Sequence, residues 1–394
     1  MNEPPARGRL HPDSGEFRSE RARVDYLIHC VATFLTFLTG SQGALLAVVL
    51  ERKGIGRAEI PLVLSANGVT AVGALAVAGY VVPRLGVLTT VRAGTFLMFI
   101  AYLSLEATAE GFWTSIASRL VQGVGFGLFM PAAMIYARAT LALKGSAYLF
   151  GIYAAMITLP NLVGPALAEF YLGYFGLFGF FIFGAMPAAV AVLVTILLRP
   201  SEHEARVAAQ PKLRGVLFDG ANALALMAIF VVGILYGFVG AYMAPFLMSE
   251  GIAIASFFAA FTISFFVARF WLLRFVEGVR RSMLISGGLA LMAIGYLGVA
   301  NVKDAVAVVT AGIFVGLGYS VAYPNLSLWI LDRYEASQRG MPASVFNAAY
   351  FLGFYISPLI VGWGVITGGY SASLDSLAAL GLVVALVLAV RSGK

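Results

Sequence analysis

The sequence predicts an all-α membrane protein of twelve spanning helices arranged as two similar six-helix bundles, and three observations predict it. The 394-residue chain is 60% hydrophobic and 11% charged, with a mean hydropathy of +0.91. An average soluble domain is about 45–50% apolar and about 25% charged, so the excess apolar surface must face lipid. The apolar residues fall into runs long enough to cross a bilayer, and those runs repeat as two sets of six.

In order, the runs cover 26–50, 58–82, 86–106, 112–136, 146–170, 174–198, 217–248, 253–273, 282–300, 305–331, 341–366 and 372–390. A helix needs about 17–25 apolar residues to cross the hydrocarbon core. The first run follows a polar tail. Arg92 interrupts the start of the third, the weakest, and the fourth carries Arg119. The fifth contains Pro160 and Pro165. The seventh is long enough to tilt or break, with Gly237, Gly240 and Pro245 as weak points. Arg269 lies near the end of the eighth. Trp113, Trp271 and Trp363 sit near span ends, where tryptophan anchors at the membrane interface.

An even number of spans puts both termini on one side. That side collects 20 of the 26 lysines and arginines, the opposite side four, and Arg119 and Arg269 lie within spans. By the positive-inside rule both termini are expected in the cytosol. The same distribution accounts for the net charge of +7 without a nucleic-acid partner. Residues 1–24 read as a cytosolic tail, with no short apolar core and cleavage site of a signal peptide. The longest internal loop divides the chain into a first bundle at 25–198, a linker at 199–215 and a second bundle at 216–394. The single cysteine, Cys30, allows no intramolecular disulfide. His11, His29 and His203 have no metal-ligand spacing, so neither a metal nor another cofactor is expected. Phosphate-cradling loops of the Walker type are absent, which argues against direct drive by ATP.

The two halves are related. Gly123-Val-Gly125-Phe126-Gly127, leading to Pro131, matches Gly316-Leu-Gly318-Tyr319-Ser320, leading to Pro324, at an offset of 193. The same offset maps Pro160 onto Gly353, Gly164 onto Ser357 and Pro165 onto Pro358. Gly86 maps onto Gly278 at 192 and Asp25 onto Asp219 at 194. A parallel repeat of six spans is an architecture of secondary transporters, with the substrate path between the halves.

These features resemble the major facilitator superfamily, nearest its bacterial twelve-span branch of sugar- and drug-efflux permeases. Arg119-Leu-Val-Gln122-Gly123-Val-Gly125 resembles the family pattern R-x-x-Q-G-x-G. In that family the arginine is implicated in proton transfer. A guanidinium does not deprotonate at relevant pH, so it would act by attracting an acid or an anionic substrate group. Gly151, Gly164 and Pro165 keep part of the antiporter signature, whose second glycine is replaced by Pro160 and whose last two by Ala168 and Glu169. Gly79, Arg84 and Gly86 keep part of the loop pattern between spans two and three, but Pro83 stands where the family has an aspartate. The second-half counterpart, Arg269 through Arg274, Glu277, Arg280 and Arg281, is richer in charge and is expected to do more of the latching. The resemblance implies a secondary active transporter, not an enzyme, that moves a small molecule by alternating access, with proton-coupled efflux as its direction. Uptake of a metabolite or metal chelate is the alternative, and a non-transporting sensor or assembly factor a further one.

Proton coupling needs a carboxyl or imidazole able to change its protonation within the protein. Arg119, Glu169, Asp25 and His29 are the candidates, with Glu169 beside Arg119 the preferred pair. The polar residues expected in the cavity are Thr36, Gln42, Gln122, Asn161, Asn325 and Asn347. The aromatic ones are Phe126, Tyr236, Tyr242, Tyr319, Tyr323 and Tyr350, with Phe257 and Phe258 also near. A largely apolar pocket with a few amides suits a small amphipathic or polar-uncharged solute. The expected partners are the lipid bilayer, that solute and protons. Short loops suit a bacterial inner membrane, and the protein is expected to act as a monomer.

Overall fold

The protein is described by a computed structural model covering residues 17, 19–141, 146–200, 213–269, 279–301, 304–335 and 338–391. Most of the tail and of the linker therefore lies outside the described residues, as do Trp271, Arg274, Glu277 and Gly278. The described residues are helical apart from turns and one isolated bridge, Phe17 with Leu141.

Twelve spans follow one another. Span 1 runs over Glu20–Arg52 with a 3-10 turn at Gln42–Leu45 inside it. Span 2 is Ile60–Leu85, span 3 Val87–Thr108 and span 4 Phe112–Thr140. Span 5 is two segments, Ser146–Thr158 and Pro160–Phe175, and span 6 is Phe180–Ile196. Span 7 is Gly220–Ala241 continued by Met243–Ser249, and span 8 is Ile254–Val267. Span 9 is Arg281–Asn301 and span 10 Ala305–Leu331. Gly340–Arg391 is spans 11 and 12, separated at Gly369, where φ is +80°.

Where the boundaries differ from the hydropathy reading, local chemistry explains it. Span 1 starts six residues earlier than expected because Ser19 caps it, accepting a hydrogen bond of 3.0 Å from the Ala22 N–H. Hydropathy marks the lipid-facing length and not the helix. The break in span 7 falls at Tyr242 (φ −125°), between the glycines and the proline expected to weaken it. Arg92, which weakened the third run, has a structural use. Its guanidinium donates to the carbonyls of Thr195 (3.0 Å), Ile196 (3.1 Å) and Leu198 (2.9 Å). These carbonyls lie at the C-terminal end of span 6, where acceptors lack the usual i+4 partner. Arg92→Ala is expected to cost about 2 kcal/mol, read as a lower melting temperature in detergent with transport retained.

Glycine sets the packing of each half, and sets it twice. A Cβ at Gly127 would lie 2.5 Å from the Ala71 carbonyl oxygen on span 2, and one at Gly125 would lie 2.9 Å from that of Gly94 on span 3. Gly123 likewise meets the Asn67 carbonyl. In the second half Gly316 abuts Phe261 and Ser264 on span 8, and Gly318 abuts Gly288 and Met292 on span 9. Ser320, at the position matching Gly127, donates to the Phe265 carbonyl at 3.0 Å. Spans 4 and 10 therefore wedge between equivalent neighbours.

The halves meet mainly at the end of the molecule away from the termini. There the turn in span 1 touches span 7, the first turns of span 2 touch span 11, and Pro160–Phe175 touches span 8. One apolar core joins the far end of the first half to the length of the second. Toward the termini the first half keeps a core of its own around Tyr26, Phe129 and Tyr136.

Candidate functional site

Between the halves lies a cavity of about 380 Å³, within the range of small-molecule sites. Its walls differ. The second half contributes aromatic rings. Tyr236 stacks on Tyr319 with centroids 4.5 Å apart, Tyr319 and Tyr350 share a hydroxyl–hydroxyl bond of 2.9 Å, and Phe354 lies beside Tyr236 at 5.9 Å. Tyr323 also lines the space and donates to the Asn347 Oδ1 at 3.0 Å. The first half contributes Asn67, Arg119, Gln122, Phe126 and Asn161. Phe126 crosses to the other half, meeting Phe351 at 5.1 Å.

Arg119 is 8% exposed. The close approach of span 4 to span 2, allowed by Gly123 and Gly127, brings its guanidinium to span 2 backbone. Nη2 donates to Leu64 O (2.9 Å), Nε to Val63 O (3.3 Å) and Nη1 to Gln122 Oε1. No carboxylate among the described residues forms an ion pair with it. The expected pairing with Glu169 is corrected here: Glu169 is half-buried in span 5, does not line the cavity, and has no ion pair or hydrogen bond among the described residues.

The other two proton candidates, Asp25 and His29, lie on span 1 and do not line the cavity, although the Tyr153 ring stacked on His29 does. Asp25 pairs with Arg21 at 3.0 Å and is only 6% exposed, so it is not a solvated end residue. His29 is fully buried, bonded through Nε2 to Ala133 O at 2.8 Å, and stacked on Tyr153 at 5.5 Å.

Five expected lining residues face elsewhere, four because a backbone carbonyl claims them and Asn347 because a side chain does. Thr36 donates to Ala32 O (2.8 Å) on its own helix. Gln42 donates to Leu38 O and Gly184 O (each 3.3 Å), tying span 1 to span 6. Tyr242 reaches Pro358 O (3.2 Å) and Asn325 reaches Val321 O (2.8 Å). Asn347 stands behind Tyr323 as its acceptor. Phe257 is fully buried in the core, whereas Phe258 does line the space. Residues that sequence reasoning missed are Asn67 on span 2 and Phe351, Phe354 and Tyr355 on span 11. The spacing of Tyr350, Phe351, Phe354 and Tyr355 puts them along one side of a helix, a signal that was available.

The motif residues resolve into packing and local contacts. Gly164 abuts Ser41 of span 1, while Pro165 lines the cavity. Gly79 is exposed, and Gly86 takes a φ of +83° between spans 2 and 3. Arg84 lies 3.6 Å from the Tyr80 ring of its own helix. Arg274 and Glu277 of the expected second-half latch lie outside the described residues, and the ion pairs that Arg281 and its neighbours make stay within the second half. Arg281 pairs with Asp332 at 2.6 Å, next to Arg339, and Arg333 pairs with Asp219 at 3.3 Å, all within the second half. Arg280 stands directly before span 9, and Arg269 lines the cavity, exposed, at the end of span 8.

Twelve spans around a central cavity lined from both halves define a polytopic transporter. The chain belongs to the Major Facilitator Superfamily, whose family pattern it matches over residues 28–276. It is 23% identical over 350 residues to the staphylopine export protein of Staphylococcus aureus (strain Mu50 / ATCC 700699), covering 83% of this chain and 87% of that one. It is 26% identical over 210 residues to the methylenomycin A resistance protein of Bacillus subtilis (strain 168), covering 50% of this chain and 45% of that one. Its fold is that of a crystallised D-xylose-proton symporter, with a TM-score of 0.76 at 14% identity over 92% of this chain and 96% of that one. The protein is therefore a secondary transporter and not an enzyme.

Proposed function

We propose that this transporter exports a small organic molecule across the bacterial cytoplasmic membrane in exchange for protons, as a monomer with both termini in the cytosol. The observation that carries the reading is the cavity itself, shut at the end away from the termini and reaching toward the terminal end between spans 4, 5, 8 and 10. With the basic loops on the cytosolic side, this is the state that loads solute from inside. Resemblance to an exporter and a resistance protein supports the outward direction. The halves 25–198 and 216–394, joined by 199–215, are proposed as the two bodies that rock around the site.

The test is transport in proteoliposomes of known orientation. A panel of small molecules is offered with and without an imposed pH gradient, and uptake is read by mass spectrometry. Movement toward the compartment facing the far end, driven by a gradient acidic on that side, is expected. Gradient-independent equilibration would remove proton coupling from the proposal, and accumulation on the terminal side would reverse the direction. Glu169, within span 5 and free of an ion pair among the described residues, is the proposed proton carrier. Glu169→Gln is expected to reduce gradient-driven accumulation about tenfold while leaving solute–solute exchange intact.

A further inference from the structure

The cavity carries charge of one sign. Arg119 and Arg269 line it, and no aspartate, glutamate, lysine or histidine does so among the described residues. A buried guanidinium with no counter-charge is costly, and proteins pair such groups. Arg119 has five N–H groups and three protein acceptors, two of them backbone carbonyls and one a carboxamide, so none carries negative charge. One turn along span 2 from Leu64, Asn67 is 6% exposed and lines the same space, and its unpartnered Oδ1 offers an acceptor to a donor group elsewhere on the ligand. Opposite stands the ring wall of Tyr236, Tyr319 and Phe354. Arg269, exposed at the end of span 8, stands at the mouth nearer the termini.

We infer that the transported molecule is an amphiphilic organic anion, with its carboxylate or equivalent acidic group received by Arg119 and a planar apolar body laid against the aromatic wall. This rests on the transporter reading and names its substrate class. The missing negative charge arrives with the ligand. A guanidinium offers paired N–H groups that match a carboxylate, and desolvation strengthens that contact. Arg269 raises the local concentration of anions at the entrance and makes the loading rate sensitive to salt.

The experiment compares three isosteric probes on the full chain in nanodiscs: indole-3-acetate, its neutral amide, and the cationic tryptamine. Binding is followed by calorimetry. Indole-3-acetate is expected to bind about tenfold or more tighter than the amide, and tryptamine weakest. Arg119→Gln should weaken the acid about a hundredfold and leave the amide unchanged, with Arg119→Lys recovering part of the difference. Because Arg119 also bonds span 2, Arg269→Gln provides a second variant, at an exposed side chain with no hydrogen bond or ion pair among the described residues. It should slow association of the acid about threefold at low salt and not at high salt. Equal binding of acid and amide, preference for the amine, or an acid–amide difference that survives Arg119→Gln would each overturn the inference. Binding that follows these charges while no acid of this class is transported in proteoliposomes would uphold the anion site at Arg119 and overturn its assignment to the transported molecule.

Discussion

Joining positions 61 and 362 by a disulfide is expected to stop transport. Pro61 opens span 2 and Gly362 lies in span 11. A Cβ built on Gly362 would sit 2.8 Å from the Pro61 Cβ, so a slight separation reaches disulfide geometry. The contact is in the sealed end of the cavity, which must open for solute to leave on that side. With Cys30→Ser removing the native thiol, Pro61→Cys with Gly362→Cys should show transport below about a tenth of the parent under oxidant, restored by reductant. Full activity in a quantitatively cross-linked sample would mean that this end never separates, and alternating access about this cavity would be refuted.

Gly68→Val is expected to push the same equilibrium the other way. Gly68 on span 2 lies directly under the Tyr355 ring of span 11, and a side chain there would overlap that ring. Overpacking a tight contact costs about 1–3 kcal/mol. Because the cost applies only while the far end is closed, it should change the ratio of the two states about 5–150-fold. A cysteine at Asn67, in the cavity, reads the outcome through alkylation by a membrane-impermeant reagent added on either side. Labelling from the far side should rise and labelling from the terminal side should fall. Tyr355→Ala should cancel the effect, which separates a state shift from general loss of stability. Unchanged labelling with a lower melting temperature would show that the contact is only structural.

The architecture was legible because lipid imposes a simple rule. Apolar length locates a span, and the repeated glycines of Gly123–Gly127 and Gly316–Ser320 mark the two helices that wedge between neighbours. Helix ends were less so: the Ser19 cap and the Arg92 bonds to span 6 are decided by hydrogen bonding, which hydropathy does not see. The cavity was legible where no backbone group drew the side chain away, as with Tyr236, Tyr319 and Gln122, the last two bonding to other lining residues. It was not where a backbone group nearby captured the side chain, as Gly184 O captures Gln42 and Pro358 O captures Tyr242. Span 1 shows why depth alone fails. Thr36 lies at cavity depth yet donates to its own helix, while Phe37, the next residue, faces the space. A helix turns about 100° per residue, so one position decides the face.

Span 5 has a mechanical consequence. Pro160 and Pro165 lack N–H groups, so the carbonyls four residues before them, at Met156 and Asn161, lose their usual rungs. The chain below Leu159 packs on spans 1 and 4 of its own half, and the chain above it packs on spans 1 and 6 of its own half and also on span 8 of the other. With two rungs missing between these supports, the helix can flex like a leaf spring without unravelling. Because its upper part touches both bodies, a bend at those few residues would let span 5 keep its hold on one while yielding to the other.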